Sequence, residues 1–218
     1  MTMTRGLFLD LDGTMADSLG VMRRVYQSFL DHFDATATDA EFDSLNGPPL
    51  KEVVRRLKER HGLDDTIDDL LITYRAFIVE AYDTVEPSAG VRPLLDEARR
   101  KGWVIGVVTS NDETLTRRWL QRCGLEPLID VLVCGGDVAV GKPSPEPYLL
   151  ALKRADCVAQ VSVAVEDSAQ GSQSAVNAGL RTFGFEVDPG QPQNWPQGVM
   201  RIGALNEIIA HMSGESHA

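Results

Sequence analysis

From about residue 86 onward, short apolar runs alternate with amphipathic helical patterns. The apolar runs are nearly continuous, which is typical of parallel strands that are covered on both faces. Predicted strands cover residues 7–12, 104–111, 131–136, 161–167 and 181–187, and predicted helices cover 92–101, 112–123, 145–155, 169–178 and 204–212. This repeating order of strand and helix predicts an α/β protein with a doubly wound, Rossmann-like parallel sheet.

Residues 18–84 interrupt that order. Three amphipathic helix patterns follow one another over 18–33, 49–62 and 66–82, without a strand pattern between them. Pro87 and Gly90 suit the point where the chain returns to the sheet. We therefore predict two domains, listed by residue number: an α/β core of 1–16 and 86–218, and an inserted α-helical cap of 17–85.

Chemically reactive side chains stand where four of the predicted strands end. In chain order they are Asp10 and Asp12, Thr109 and Ser110, Lys142 in a Gly-Lys-Pro loop, and Glu166 and Asp167. Ligands of parallel α/β sheets bind beyond the carboxyl ends of the strands. The four groups are therefore predicted to converge on one site.

Taken singly, each group also has a plain structural explanation. Asp10 and Asp12 are compatible with a solvated turn, and Thr109 and Ser110 with a cap on the helix that follows them. A lone Lys142 would most often be a surface lysine. Glu166 and Asp167, with Ser168, are compatible with an N-terminal cap of the predicted helix 169–178. The convergence of all four groups favours a functional site over these alternatives.

Acidic groups outnumber the basic one in this predicted site. Asp10, Asp12, Glu166 and Asp167 stand against the single Lys142, and such a cluster does not stay ionised when it is buried without a counterion. A divalent cation would remove most of the excess charge, and carboxylate oxygens without Cys or His favour Mg²⁺ over Zn²⁺. A proton on Asp12 would remove the rest, and a general acid requires that proton.

These residue types suit phosphoryl transfer. A carboxylate can attack phosphorus and form an aspartyl-phosphate, which divides hydrolysis into two easier displacements. Mg²⁺, Lys142, the Thr109 hydroxyl and backbone N–H groups can hold the oxygens of the transferred group. Gly13 allows the backbone to turn tightly after the two aspartates.

The motifs "DLDGTMADS", "VVTSN", "GKP" and "EDSAQG" occur in this order, and together they resemble the four motifs of the haloacid dehalogenase (HAD) superfamily. The resemblance extends over essentially the whole chain. The helical insert after the first motif resembles the cap of the phosphoglycolate phosphatase and beta-phosphoglucomutase branch. The resemblance implies a Mg²⁺-dependent phosphoric monoester hydrolase whose partner is a small phosphorylated metabolite.

The resemblance also implies roles for individual residues. Asp10 would be the nucleophile and a metal ligand. Asp12 would be the general acid/base and would offer its backbone carbonyl to the metal. Lys142 would steady both the nucleophile and the phosphoryl group. The remaining implied roles are phosphate binding by Thr109 and the Ser110 N–H, and Mg²⁺ binding, directly or through water, by Glu166 and Asp167.

The cap sequence bears on the choice between a phosphatase and a phosphomutase. Beta-phosphoglucomutases carry a His in the first cap helix and an Arg three residues after a cap glycine, whereas those places hold Met22 and, after Gly47, Leu50. The stretch "LNGPPLKEV" instead resembles the substrate-specificity loop of phosphoglycolate phosphatases and related pyrophosphatases. Gly47, Pro48 and Lys51 are therefore expected to contact the leaving group, although a hinge role explains the two prolines equally well.

Several functions remain as alternatives on the same motifs. A phosphomutase of the beta-phosphoglucomutase type would return the phosphoryl group to its substrate. A pyrophosphatase or a nucleotidase would use the same site on a different leaving group. A non-catalytic interaction protein is the least favoured alternative, because none of the reactive groups is missing.

Net charge, apolar stretches and cysteine spacing limit the binding partners and the cellular compartment that we expect. The formal net charge of -11 argues against broad binding to nucleic acid or to anionic membranes. The chain shows no apolar stretch of membrane-spanning length, and Cys123, Cys134 and Cys157 show no C-x-x-C spacing. These features predict a cytoplasmic protein with reduced thiols and without a nucleic-acid or membrane partner.

Overall fold

The computed structural model describes residues 3–45, 48, 50–186 and 194–212, and these residues contain a six-stranded sheet. Its strands are β1 (Gly6–Leu9), β2 (Val104–Val108), β3 (Val131–Val133), β4 (Val163–Glu166), β5 (Arg181–Phe185) and β6 (Met200–Ile202). They lie in the order β3-β2-β1-β4-β5-β6, and all neighbouring pairs are parallel. This topology confirms the predicted doubly wound α/β fold.

Internal contacts divide the chain into two units, Met1–Ala16 with Glu86–Ala218, and Asp17–Val85. The first unit holds the sheet. The helices of the second unit are α1 (Leu19–His32), α2 (Asp39–Ser44), α3 (Leu50–His61) and α4 (Ile67–Tyr82). Those of the first are α5 (Val91–Arg100), α6 (Glu113–Arg122), α7 (Glu146–Ala155), α8 (Ala169–Asn177) and α9 (Ile208–His211). The roles of the two units as core and cap domain stay predictions.

Strand β1 is buried on both of its faces. Phe8 packs in one apolar cluster with Tyr148 of α7 and Ala175 of α8, while Leu7 and Leu9, which point to the opposite face, are equally inaccessible to solvent. Each such side chain contributes roughly 1.5–3 kcal/mol on burial. The burial of both faces explains why the apolar run is continuous rather than alternating.

The Asp17–Val85 unit has its own apolar core. Tyr26 and Phe29 of α1 pack with Leu57 of α3 and Leu70 of α4. Beside this core, the buried carboxylate of Glu41 accepts a hydrogen bond from the Tyr26 hydroxyl at 2.5 Å. Three helices of the unit thus share one apolar cluster, and a buried polar contact ties α2 to α1.

Two short elements are absent from the sequence predictions. Strand β6 pairs with β5 at the edge of the sheet through Phe183 and Met200, but its three residues are too short to show a strand period. Helix α2 has six residues, and the Thr38 side chain caps it by accepting a hydrogen bond from the Glu41 N–H. Strand β6 depends on its pairing with β5, which a local pattern does not report, and α2 is too short to show a helical period.

Candidate active site

Three adjacent strands bring the predicted site residues to one edge of the sheet. Asp10 directly follows β1, Thr109 directly follows β2, and Glu166 is the last residue of β4. Because β1 lies between β2 and β4, Asp10 occupies the centre of this edge. Its N–H donates to the Val165 carbonyl at 3.0 Å, which anchors the turn to β4.

Lys142 joins two of the predicted acids. Its Nζ lies 2.5 Å from Asp10 Oδ1 and 2.6 Å from Glu166 Oε1, and it donates to the Val108 carbonyl at 2.9 Å. The lysine side chain is only 8% exposed. Burial alone would lower the Lys142 pKa, but the adjacent Asp10 and Glu166 carboxylates raise it above its ordinary value. Lys142 therefore stays charged between the two acids.

Three carboxylates form a buried cluster around this lysine. Asp10, Glu166 and Asp167 each offer one oxygen, and these oxygens all lie within 4.8 Å of one another. Burial, opposed by the Lys142 charge, raises the pKa of Glu166 to about 7. Burial, followed by the charges of Asp10 and Glu166, raises the pKa of Asp167 well above its usual range. These raised pKa values mean that simultaneous ionisation of all three carboxyl groups is unfavourable unless a cation is bound.

The donor set fits a hard divalent cation. Glu166 Oε2 is buried, and among the described atoms it has no hydrogen-bond partner, although its other oxygen accepts from both Lys142 and the Tyr148 hydroxyl, the latter at 2.5 Å. A buried carboxylate oxygen without a partner is costly. A cation held by these carboxylate oxygens would satisfy it and would offset the repulsion within the cluster.

Two glycines make room for the acids. A Cβ at Gly171, in the first turn of α8, would overlap the Glu166 carboxylate, and a Cβ at Gly13 would overlap that of Asp167. Gly13 also has a φ of +75°, which side chains disfavour. The close approach of backbone to carboxylate at both places therefore requires glycine.

Asp12 lies apart from the three-carboxylate cluster. Its half-buried side chain accepts a 2.5 Å hydrogen bond from Asn111 Nδ2. The cluster consists of carboxylate oxygens, and the metal contact of Asp12 through its backbone carbonyl stays a prediction. The separation leaves its carboxyl group outside the group of oxygens that suits the cation.

Thr109 and Ser110 follow β2 at the same edge. Thr109 is buried, and its Oγ1 accepts the Asn111 N–H at 3.1 Å, whereas Ser110 is exposed. Neither residue caps the next helix: Asp112 does so by accepting a hydrogen bond from the Leu115 N–H. The capping alternative for the first two is therefore wrong, and their binding of phosphate stays a prediction.

The predicted substrate loop lies in the Asp17–Val85 unit. Gly47 is outside the described residues, Pro48 is half-buried in a bend, and Lys51 is exposed in the first turn of α3. Their contact with a leaving group stays a prediction.

No helix within the described ranges is long and apolar enough to cross a membrane.

Sequence reasoning missed three residues that the structure places in the site. Asn111 and Gly171 stand inside the quoted motifs but received no role, and Tyr148 stands outside them. The motifs themselves could have drawn attention to the first two. No local signal marks Tyr148, because a buried aromatic on a helix normally indicates packing alone.

Known proteins resemble this chain over most of its length. A family model described as haloacid dehalogenase-like hydrolase matches residues 7–185. The pyrophosphatase PpaX of Bacillus velezensis is 32% identical over 181 residues, which cover 82% of this chain and 81% of that protein. The 6-phosphogluconate phosphatase of Escherichia coli is 27% identical over 191 residues, which cover 87% and 86%. The crystal structure of CbbY from Rhodobacter sphaeroides in complex with phosphate matches with a TM-score of 0.83 at 25% identity, over 94% of this chain and 96% of that chain.

Proposed function

The chain belongs to the haloacid dehalogenase-like hydrolase family, and on that premise we propose that it is a Mg²⁺-dependent phosphatase that hydrolyses a small phosphate monoester through an aspartyl-phosphate. Family membership confirms the resemblance predicted from the four motifs. The observation that carries the proposal is the position of Lys142, whose Nζ contacts both Asp10 and Glu166 beside Asp167. A buried carboxylate next to a fixed ammonium is suited to attack a phosphoryl group.

Asp10, Glu166 and Asp167 would hold Mg²⁺, and the backbone carbonyl of Asp12 would complete their set. When bound, Mg²⁺ supplies charge that neutralises the phosphoryl oxygens. The fit rests on the carboxylate donor set and on the unpartnered Glu166 Oε2. Lys142 would contribute a second positive charge at the same place.

The reaction divides into two displacements. In the first, a carboxylate oxygen of Asp10 forms a bond to phosphorus while the bond to the leaving oxygen breaks, and Asp12 gives its proton to that oxygen. In the second, Asp12 takes a proton from water as the water oxygen bonds to phosphorus. The Asp10–phosphorus bond breaks, which releases phosphate and restores both aspartates. The Thr109 hydroxyl and Ser110 N–H would orient the phosphoryl oxygens in both steps.

The substrate class proposed is a phosphoglycolate-like or sugar-phosphate-like ester. A pyrophosphatase is the second candidate, because the chain is 32% identical to the pyrophosphatase PpaX. The contact of Gly47, Pro48 and Lys51 with the leaving group is part of this proposal. It is supported by the likeness of their segment to a substrate-specificity loop.

We also propose a cytoplasmic location without nucleic-acid or membrane partners. The net charge of -11 supports this proposal, because it opposes binding to polyanions. The three cysteines are free, as is usual for reduced compartments.

An assay on simple phosphate esters tests the proposed function. Protein stripped of metal is expected to hydrolyse an aryl phosphate only after Mg²⁺ is added, and Asp10→Asn is expected to abolish this activity. Asp31→Asn, an exposed change on α1, serves as the matched control. An Asp10→Asn variant that keeps the wild-type rate would show that Asp10 is not the nucleophile. A panel that includes pyrophosphate, and beta-glucose 1-phosphate with and without a bisphosphate activator, separates the phosphatase from its alternatives.

A further inference from the structure

The side chain of Asn111 meets that of Asp12 across two neighbouring strand ends. Asn111 lies in the loop after β2, and Asp12 lies in the turn after β1, 99 residues earlier. The amide nitrogen Nδ2 of Asn111 is 2.5 Å from Asp12 Oδ2. Both side chains are half-buried, so water screens this contact less than it would at the surface.

The backbone of Asn111 is held on both sides. Its N–H donates to Thr109 Oγ1 at 3.1 Å, and its carbonyl accepts the Gly135 N–H at 2.9 Å. A Cβ at Gly135 would overlap the Ser110 carbonyl, so glycine permits this approach after β3. The direction of the Asn111 side chain is therefore set by β2 and β3 before any substrate binds.

Helix capping does not account for this asparagine. A polar residue just before a helix commonly serves as its N-cap. Here Asp112 is the N-cap of α6 and accepts the Leu115 N–H at 2.9 Å. The Asn111 side chain points instead to the carboxyl group that the proposed reaction uses twice.

We propose that Asn111 is a positioning residue that holds Asp12 in the orientation required for proton transfer. This inference rests on the proposed function. Because Oδ2 accepts the hydrogen bond from Asn111, the transferable proton of Asp12 lies on Oδ1. That proton passes to the leaving oxygen as its bond to phosphorus breaks. Asp12 then takes a proton from the attacking water, while Asn111 keeps the same contact to Oδ2.

A change of leaving group separates this role from a general structural one. A leaving group that is stable as an anion needs no proton, whereas a basic leaving group does. Substituted phenyl phosphates provide both kinds of leaving group on the same aromatic scaffold. The acidities of their phenols extend from that of a carboxylic acid to that of a tyrosine side chain. The value of kcat/KM reports the first displacement alone, since formation of the aspartyl-phosphate releases the phenol.

The experiment measures kcat/KM of the Mg²⁺-loaded wild type, Asn111→Ala and Asn111→Ser on phenyl phosphate and on dinitrophenyl phosphate. The serine side chain is too short to reach Asp12, but unlike alanine it keeps a polar group at this position of the loop. With phenyl phosphate we expect kcat/KM to fall by roughly 10- to 100-fold in both variants, and with dinitrophenyl phosphate by less than about threefold. Asn206→Ala, an exposed asparagine change far along the chain, is the matched control and should leave both values unchanged.

The outcomes distinguish this inference from the function on which it rests. If the wild type shows no Mg²⁺-dependent hydrolysis of either ester, the proposed function fails and the inference falls with it. If the wild type is active but both Asn111 variants lose the same factor on the two esters, only the positioning role is overturned. Circular dichroism identifies a misfolded Ala variant, and the Ser variant then decides alone.

Discussion

Lys142 Nζ lies 2.5 Å from Asp10 Oδ1, although 132 residues separate the two along the chain. Lys142 comes from the loop after β3 and Asp10 from the end of β1, and β2 lies between these strands. The lysine therefore reaches across the end of β2, where it donates to the Val108 carbonyl. The contact places the ammonium group of a lysine from a distant segment against the carboxylate of the proposed nucleophile.

Lys142→Ala should destabilise the protein when no metal is present. The change leaves the Asp10 and Glu166 carboxylates buried without the Lys142 ammonium group. Removing one partner of a buried ion pair costs about 3–5 kcal/mol of stability. Urea unfolding of the metal-free protein would measure the loss. Lys153→Ala, an exposed lysine change on α7, is the control, and an equal effect of the two changes would contradict the assigned role.

Gly171→Ala should destabilise the protein, contrary to helix propensity. In a helix, alanine is favoured over glycine by about 1 kcal/mol, but the new Cβ would overlap the Glu166 carboxylate. Gly20→Ala, at an open and exposed position of α1, provides the control and should be neutral or stabilising. Thermal unfolding of both variants gives the signs, and stabilisation by both would show that the carboxylate is not held against α8.

Tyr148→Phe should weaken the site without opening a cavity. It removes the hydroxyl that donates to Glu166 Oε1, and a hydrogen bond to a charged group contributes about 1.5–3 kcal/mol. Tyr74→Phe removes a hydroxyl from a tyrosine packed in the apolar cluster of the second unit and is the comparison. Unfolding free energies in urea would measure both losses, and a smaller loss for Tyr148 would contradict this prediction.

Mg²⁺ should raise the melting temperature of the metal-stripped protein, because a ligand that binds only the folded state stabilises it. The gain is about 2.7 kcal/mol at a Mg²⁺ concentration 100 times the dissociation constant. Asp167→Asn removes one of the three clustered carboxylates and should greatly reduce the shift, whereas Asp31→Asn should preserve it. A full shift in the Asp167 variant would remove that residue from the metal site.

Acid should destabilise the protein through Glu41. Burial alone would raise the pKa of Glu41, but hydrogen bonds from Tyr26 and His61 and the charge of Arg60 lower it below its usual value of 4.5. A group with a lowered pKa stabilises the fold above its unfolded-state pKa, and this contribution is lost as the pH falls through the folded-state pKa. Glu41→Gln should therefore cost more stability at neutral pH than at pH values below 4.

Urea unfolding followed by circular dichroism at the two pH values would measure this difference. Glu80→Gln, an exposed change on α4, should show little effect at either pH. A Glu41→Gln cost that is independent of pH would mean that the ionised carboxylate contributes nothing beyond its neutral form.

The fold class and the location of the site could be predicted because both leave local patterns. The continuous apolar run that ends at Asp10 reports burial on both faces of β1, and in a parallel sheet such runs deliver their following residues to one edge. The same local logic fails for β6 and α2, whose three and six residues are too short to show a period.

The sequence by itself determined the α/β class and predicted an acidic site at the carboxyl ends of the strands. Only the tertiary structure decided which atoms meet: Lys142 with Asp10, Tyr148 with Glu166, and Asn111 with Asp12. These pairs depend on strand order and on loops that are distant in the chain. Periodicity and propensity describe how a segment folds, whereas a contact between distant segments arises only when the sheet brings their ends together.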